Sequence, residues 1–144
     1  MITRIALAAV VAAFAITTVV AQSDPIAARK GLMKNNNDQG RIAREIIDGK
    51  RPYSNEVAQK VFATFEDTAA KLPGLFPDNS KTGDTRALPV IWEKKAEFNA
   101  AAAKLGADAK AAAAKSKDLD SFKASMSEVG RNCGTCHDAW RAKS

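Results

Sequence analysis

The sequence is poor in the groups from which most active sites are built. Its 144 residues include one His and two Cys. A single His excludes a His-His-carboxylate metal centre and a bis-His haem within one chain. It also leaves no His for a Ser-His-Asp triad, because His137 already lies in a Cys-x-x-Cys-His string. A disulfide between Cys133 and Cys136 closes almost no loop and adds little stability.

Charge of one sign is not concentrated anywhere in the chain. Lys and Arg number 22 against 16 Asp and Glu, which gives a formal net charge of +6. The basic residues are spread along the sequence, so they do not indicate nucleic-acid binding. We interpret them as the solvated faces of helices.

Long hydrophobic runs are absent after the first 20 residues. Residues 5–20 form one uncharged run behind Arg4 and before a small-residue site that ends at Ala21. This pattern predicts a signal peptide over residues 1–21, whose removal lowers the net charge from +6 to +5. A membrane anchor is the weaker alternative, because the run is short for a span of ~20 residues and no basic stop-transfer cluster follows. We expect an exported, periplasmic domain of residues 22–144.

Proline and glycine cluster in a few places and divide the remaining chain into four segments of helix-forming composition. The segments run from Asp24-Pro25 to Asp48-Gly49, from Ser54 to Pro73, from Pro89 to about Lys115, and from an Asp118 cap onward. Residues 35–38 (NNND) are poor helix formers in the middle of the first segment. The 17-residue connection from Pro73 to Pro89 is long for a bundle, which indicates a functional loop or a crossover.

The last segment has the clearest periodicity. Its apolar and cysteine positions step by three and four residues: Leu119, Phe122, Met126, Val129, Cys133, Cys136 and Trp140. This is an a/d seam of three heptads, and no strand-like alternation occurs anywhere in the sequence. The pattern predicts an all-α protein, an antiparallel up-down-up-down four-helix bundle.

The string Cys133-Gly134-Thr135-Cys136-His137 has the spacing of a c-type haem attachment site. On a helix, positions i, i+3 and i+4 share one face, so two thiols can bind the vinyl groups of a porphyrin that the imidazole ligates. A redox Cys-x-x-Cys usually sits at a helix N-terminus, whereas this string ends an all-helical chain. Zinc needs four ligands and the string offers three. We expect one covalently attached haem c.

A second axial ligand would have to come from upstream, because seven residues follow His137. Apart from the leader, the thioethers are Met33 and Met126. Met126 lies about 16 Å from His137 along the same helix axis and cannot cross to the opposite porphyrin face. Met33 is therefore the distal candidate, and filling of the core is its alternative role.

Beyond the pentapeptide, the sequence resembles cytochrome c′, the class II cytochromes c. The resemblance rests on the C-terminal place of Cys133-x-x-Cys136-His137 with Arg141 four residues on. Three further stretches carry it: residues 29–33 (RKGLM), 72–77 (LPGLFP) and 88–92 (LPVIW). It covers essentially all of residues 22–144.

The resemblance implies a four-helix bundle, often a homodimer packed through its first two helices, with one pentacoordinate high-spin haem. His137 would be the proximal iron ligand, partly exposed beside Arg141. Met33 would lie over the vacant iron face. The remaining implied haem contacts are Arg29 and Lys30, which match positions that meet a propionate, and Arg86 and Leu88, which belong to the loop over the haem edge.

Two functions follow from this resemblance. An open, apolar distal face stabilises a polar bound O₂ poorly but accepts NO and CO, with Leu32 and Met33 screening the site. In a low-spin subset of the family a Met on the first helix ligates the iron, and Met33 lies at that position; this predicts an electron-transfer cytochrome with an unidentified redox partner. A peroxidase, and with it an enzyme, is disfavoured because no distal His is available.

Overall fold

Four long helices and one short helix make up most of the computed structural model, which describes residues 24–143. The helices are α1 (Pro25–Ile47), α2 (Asn55–Lys71), α3 (Val90–Glu93), α4 (Lys95–Lys115) and α5 (Leu119–Trp140). The predicted leader lies outside the described residues. Between residues 24 and 143 no helix is long and apolar enough to cross a membrane.

Each long helix packs against the long helix that follows it in the sequence. Helix α1 packs on α2, α2 on α4 and α4 on α5, while a much thinner contact between α1 and α5 closes the ring. No strand forms within the described residues, where an isolated bridge pairs Ala87 with Arg141. The predicted all-α four-helix bundle is confirmed.

Three of the long helices begin at a residue whose side chain caps the N-terminus, and the sequence predicts two of these caps, Asp24 and Asp118. The side chains of Asp24 and Ser54 each accept a backbone N–H in the first turn of the helix that follows. Asp118 accepts the N–H of Ser121 at 2.8 Å, and the Ser121 hydroxyl oxygen accepts the N–H of Asp118 at 3.1 Å. These bonds satisfy donors that a helix N-terminus otherwise leaves without partners.

Helix α1 runs unbroken through its asparagine-rich middle. Lys34 and Asp38 form an ion pair at 2.7 Å across one turn. The side-chain oxygen of Asn36 accepts a hydrogen bond from the hydroxyl of Thr68, a buried residue of α2, at 2.8 Å. Tertiary contacts of this kind override the weak helix propensity of the segment.

The third predicted segment differs from the structure, because it is two helices and not one. Lys94 interrupts it with φ −118° and ψ 45°. Ile91 is buried, and the indole N–H of Trp92 donates to the carbonyl of Pro77 at 3.1 Å. These contacts hold α3 against the preceding loop.

The buried apolar residues form two clusters. The larger, which we call the bundle core, joins the four long helices: Ala43, Ile46, Ala58, Val61, Phe62, Phe65, Ala109, Ala112, Phe122 and Val129. The smaller, which we call the loop-side cluster, joins the 73–89 connection to α3 and α4: Leu72, Phe76, Ile91 and Phe98. Met33 and Trp140 pack against the loop-side cluster.

The single tyrosine gives a direct test of the bundle core. Tyr53 donates its hydroxyl to the carbonyl of Ser116 at 3.0 Å. Burial, and then the Asp118 carboxylate, raises the pKa of Tyr53 above its ordinary value of 10.0. The stability that this group contributes is therefore complete below pH ~10 and is lost as the pH rises through the raised pKa. Absorbance at 295 nm against pH, with Tyr53→Phe as the blank, measures it; a midpoint at or below 10 contradicts the prediction.

Candidate functional site

The last two turns of α5 carry the pentapeptide. Cys133, Cys136 and His137 are all half-buried. They fall within one helix, at positions i, i+3 and i+4, so the helix places them on one face as the spacing predicts. All three side chains line the same cavity.

Two adjoining cavities, of about 780 and 380 Å³, open beside that face. We call them together the cleft. The residues that line both are Met33, Asn37, Leu72, Cys136, His137 and Arg141. The larger cavity continues between α1 and α5, and the smaller reaches Thr85 and Ala87 in the 73–89 connection. Helix α1 thus forms one wall of the cleft and α5 forms the other.

The cleft and its donors fit a haem c. Most of the surface that lines the larger cavity is apolar, as suits a porphyrin, and several residues contribute to it: Phe65, Leu72, Ala101, Ala102, Leu105, Met126 and Val129. Cys133 and Cys136 would supply the two thioether bonds and His137 an iron ligand, which is the full donor set of a c-type attachment string.

The electrostatics of the thiols fit this role better than a redox role. Burial raises the pKa of both Cys133 and Cys136 above the ordinary thiol value. The Cys133 sulfur lies 3.9 Å from the Val129 carbonyl oxygen of the preceding turn, to which it donates. Redox-active Cys-x-x-Cys motifs have a thiol pKa that is lowered, because the thiolate is the reactive species.

The imidazole of His137 is kept neutral by its surroundings. Burial lowers the pKa of His137, the charge of Arg141 lowers it further, Asp138 opposes this, and Arg86 adds a smaller lowering effect. A neutral imidazole is the form that ligates iron. The lowered pKa of His137, to which Arg141 contributes, is therefore consistent with His137 as the proximal iron ligand. The bond from His137 to the iron stays a prediction.

Met33 lies on the wall of the cleft that α1 forms, and His137 lies on the wall that α5 forms. Met33 is half-buried on α1, lines both cavities and packs against the loop-side cluster. Asn37 follows it one turn later on the same face and also lines both cavities. Helix propensity alone marks Asn37 as a weak helix former, whereas its i+4 spacing from Met33 is the signal in the sequence that predicts its place in the cleft.

Arg29 lies at the edge of the smaller cavity, but its guanidinium is engaged by the loop. Its side chain is buried, with the residue 6% exposed, and it stacks 4.4 Å from the centre of the Phe76 ring. The two terminal nitrogens make four hydrogen bonds to Leu75, Ser80 and Thr85. The contact of Arg29 with a haem propionate stays a prediction. Of the five N–H groups of its guanidinium, the Nε–H is the one that these four bonds leave available for it.

The other predicted haem contacts differ in their places. Lys30 is exposed, lines the smaller cavity and pairs with Asp84. Arg86 also lines the smaller cavity, and its guanidinium donates to the carbonyl of Ala142 at 2.7 Å. Leu88 is half-buried and lines neither cavity. Haem contacts by all three residues stay predictions.

Comparisons with known proteins agree with this site. The family model described as "Cytochrome C'" matches residues 24–141. A cytochrome c' of Rhodopseudomonas palustris is 46% identical over 125 residues, which cover 86% of each chain. A cytochrome c-556 of the same organism is 33% identical over 132 residues, 88% of this chain and 89% of the relative.

The fold has the same relatives. The solved structure of cytochrome c' from Rhodopseudomonas palustris superposes with a TM-score of 0.81 at 44% identity and covers 85% of this chain and 99% of that one. The chain therefore belongs to the cytochrome c′ family of c-type cytochromes, whose members carry one covalently attached haem c.

Proposed function

We propose that this cytochrome is a periplasmic haem protein that binds NO and CO at a pentacoordinate, high-spin iron and can exchange electrons. What supports it is the greater identity of the chain to a cytochrome c' (46%) than to a cytochrome c-556 (33%) of the same organism, because the resemblance to cytochrome c′ is what implies an open iron face. When bound, the haem supplies an iron that takes up a neutral diatomic molecule and exchanges one electron.

The protein side chains define how the site discriminates. The surface of the larger cavity is mainly apolar where Phe65, Leu72 and Leu105 line it, while the amide groups of Asn36 and Asn37 line it on α1. An apolar surface gives little stabilisation to bound O₂, because the bound O₂ is polar. Bound NO and CO do not need such stabilisation. His137 lies on the α5 wall, on the other side of the cleft. The side chains of the α1 wall therefore determine which diatomic molecules the iron would bind.

A second function is favoured by the place of Met33. Met33 is the one methionine of residues 24–143 that lines both cavities. If its thioether ligates the iron, the protein is a low-spin electron carrier with a constant coordination sphere. Met126, which lines only the larger cavity, lies on the same helix as His137 and is a matched control.

Absorption and EPR spectra of the ferric protein separate the two functions. We expect high-spin iron in the wild type, unchanged in Met33→Leu and in Met126→Leu, and CO binding to the ferrous protein. A low-spin signal with a sulfur-to-iron charge-transfer band that Met33→Leu removes, and Met126→Leu retains, would overturn the open-site proposal in favour of electron transfer.

Export and assembly belong to the same proposal. The uncharged run over residues 5–20 supports cleavage after Ala21 and a periplasmic place. A homodimer through α1 and α2 stays a prediction from the family resemblance.

A further inference from the structure

We propose that a chain of hydrogen bonds, which we call the clasp, sets the distance between the two walls of the cleft and so positions Met33 opposite His137. The clasp consists of Arg29, Thr85, residues 86–88 and residues 140–142. This inference rests on the proposed gas-binding function, for which it names the residues that control access to the site.

The clasp begins on α1 with Arg29. Arg29 lies four residues before Met33, so the two share one helix face. Its Nη1 donates to the Leu75 carbonyl and the Ser80 hydroxyl, both at 3.1 Å. Its Nη2 donates to the Ser80 carbonyl and the Thr85 hydroxyl, both at 3.2 Å. The 75–85 part of the loop is thereby fixed to the helix that carries Met33.

Thr85 connects Arg29 to residues 86–88. The same Oγ1 that accepts Arg29 also accepts the backbone N–H of Ala87 at 3.2 Å. Thr85 is thus a single acceptor that joins the guanidinium on α1 to the backbone of residues 86–88.

Residues 86–88 complete the clasp on α5. Ala87 forms the antiparallel bridge with Arg141. The N–H of Leu88 donates to the Trp140 carbonyl at 3.0 Å, and the N–H of Ala142 donates to the Arg86 carbonyl at 2.8 Å. These bonds reach α5 and its C-cap within one turn of His137.

The clasp matters because the walls have few contacts of their own. The α1–α5 contact is the thinnest among neighbouring long helices, and the cleft separates much of their length. Arginine suits the role because its planar fork can donate four bonds at once, which a lysine ammonium with three donors cannot reproduce. Loosening the clasp should let Met33 withdraw from the iron face.

The test measures CO association with the ferrous haem-loaded protein and amide exchange together. In Arg29→Gln and Thr85→Val we expect association to accelerate roughly fivefold, within the range found for coupled neighbours. The Leu88 and Ala142 amide hydrogens should exchange about tenfold faster. In a Met33→Ala background the change in association should vanish, because the side chain that the clasp positions is gone. Thr85→Val removes the shared acceptor without touching a predicted propionate contact.

The matched controls are Arg51→Gln and Lys71→Gln, which remove ion pairs with Glu45 and Asp67, and none of these four residues lines the cleft. They should alter neither readout. Unchanged amide exchange, unchanged association, or an acceleration that persists in the Met33→Ala background would overturn the clasp. Failure of the wild type to bind CO would instead refute the proposed function. The clasp would then be tested by amide exchange alone: faster exchange in Thr85→Val would support it, and unchanged exchange would overturn it.

Discussion

The double substitution Cys133→Ser and Cys136→Ser is expected to abolish covalent haem attachment. Both thiols lie on the face of α5 that lines the cleft, and a hydroxyl does not form the thioether bonds to the vinyl groups. The wild-type polypeptide should keep its haem mass in denaturing mass spectrometry and its colour in a denaturing gel, whereas the double variant should lose both.

Single variants sharpen this result. Cys133→Ser or Cys136→Ser should retain one bond and part of the covalently held haem. Thr135→Ser, an exposed change between the two thiols, should leave attachment complete. Haem that stays with the denatured double variant would contradict covalent attachment through these cysteines.

Truncating Phe122 to Ala should cause the largest loss of stability. Phe122 is fully buried on α5, and its ring lies 5.7 Å from that of Phe62 and 5.8 Å from that of Tyr53, centre to centre. Removal of such a ring from a packed core costs about 3–5 kcal/mol. A domain of this kind has only ~5–15 kcal/mol in total, so the variant should be near the limit of folding. Denaturant titration of the haem-loaded protein measures the change.

Two other substitutions calibrate that measurement. Phe122→Leu keeps more of the volume and should cost less than the alanine variant. Lys123→Ala changes an exposed residue beside Phe122 on α5 and should fall within the ~0.5 kcal/mol typical of surface changes. A loss below about 1 kcal/mol for Phe122→Ala would mean that the bundle core does not depend on this ring.

Local signals in the sequence were sufficient for the long helices and for the attachment string. Asp24, Ser54 and Asp118 cap helices because their side chains accept neighbouring N–H groups, which is a property of a few adjacent residues. The seam that includes Phe122 likewise depends only on spacing within α5. Cys133-x-x-Cys136-His137 needs no more than one helical turn to bring its donors together.

Features that depend on distant residues could not be read in this way. The break at Lys94 follows from contacts that α3 makes with the loop before it. The partners of Arg29 lie 46 to 56 positions away, so the sequence indicated a basic residue near the site but not which groups it binds. The spacing of Asn37 from Met33 places both on one face of α1, but only the arrangement of α1 against α5 makes that face a wall of the cleft.

The walls of the cleft also come from opposite ends of the described chain, and this bears on the order of folding. Met33 and His137 are 104 positions apart, whereas α1 and α2, and α4 and α5, are joined by short connections. Closing a long loop costs more chain entropy than closing a short one, so contacts of high sequence separation tend to form late. We therefore expect the α1–α2 and α4–α5 hairpins to form before α1 packs against α5. The thiols of α5 then stay accessible to haem until this last step of folding encloses the haem in the cleft.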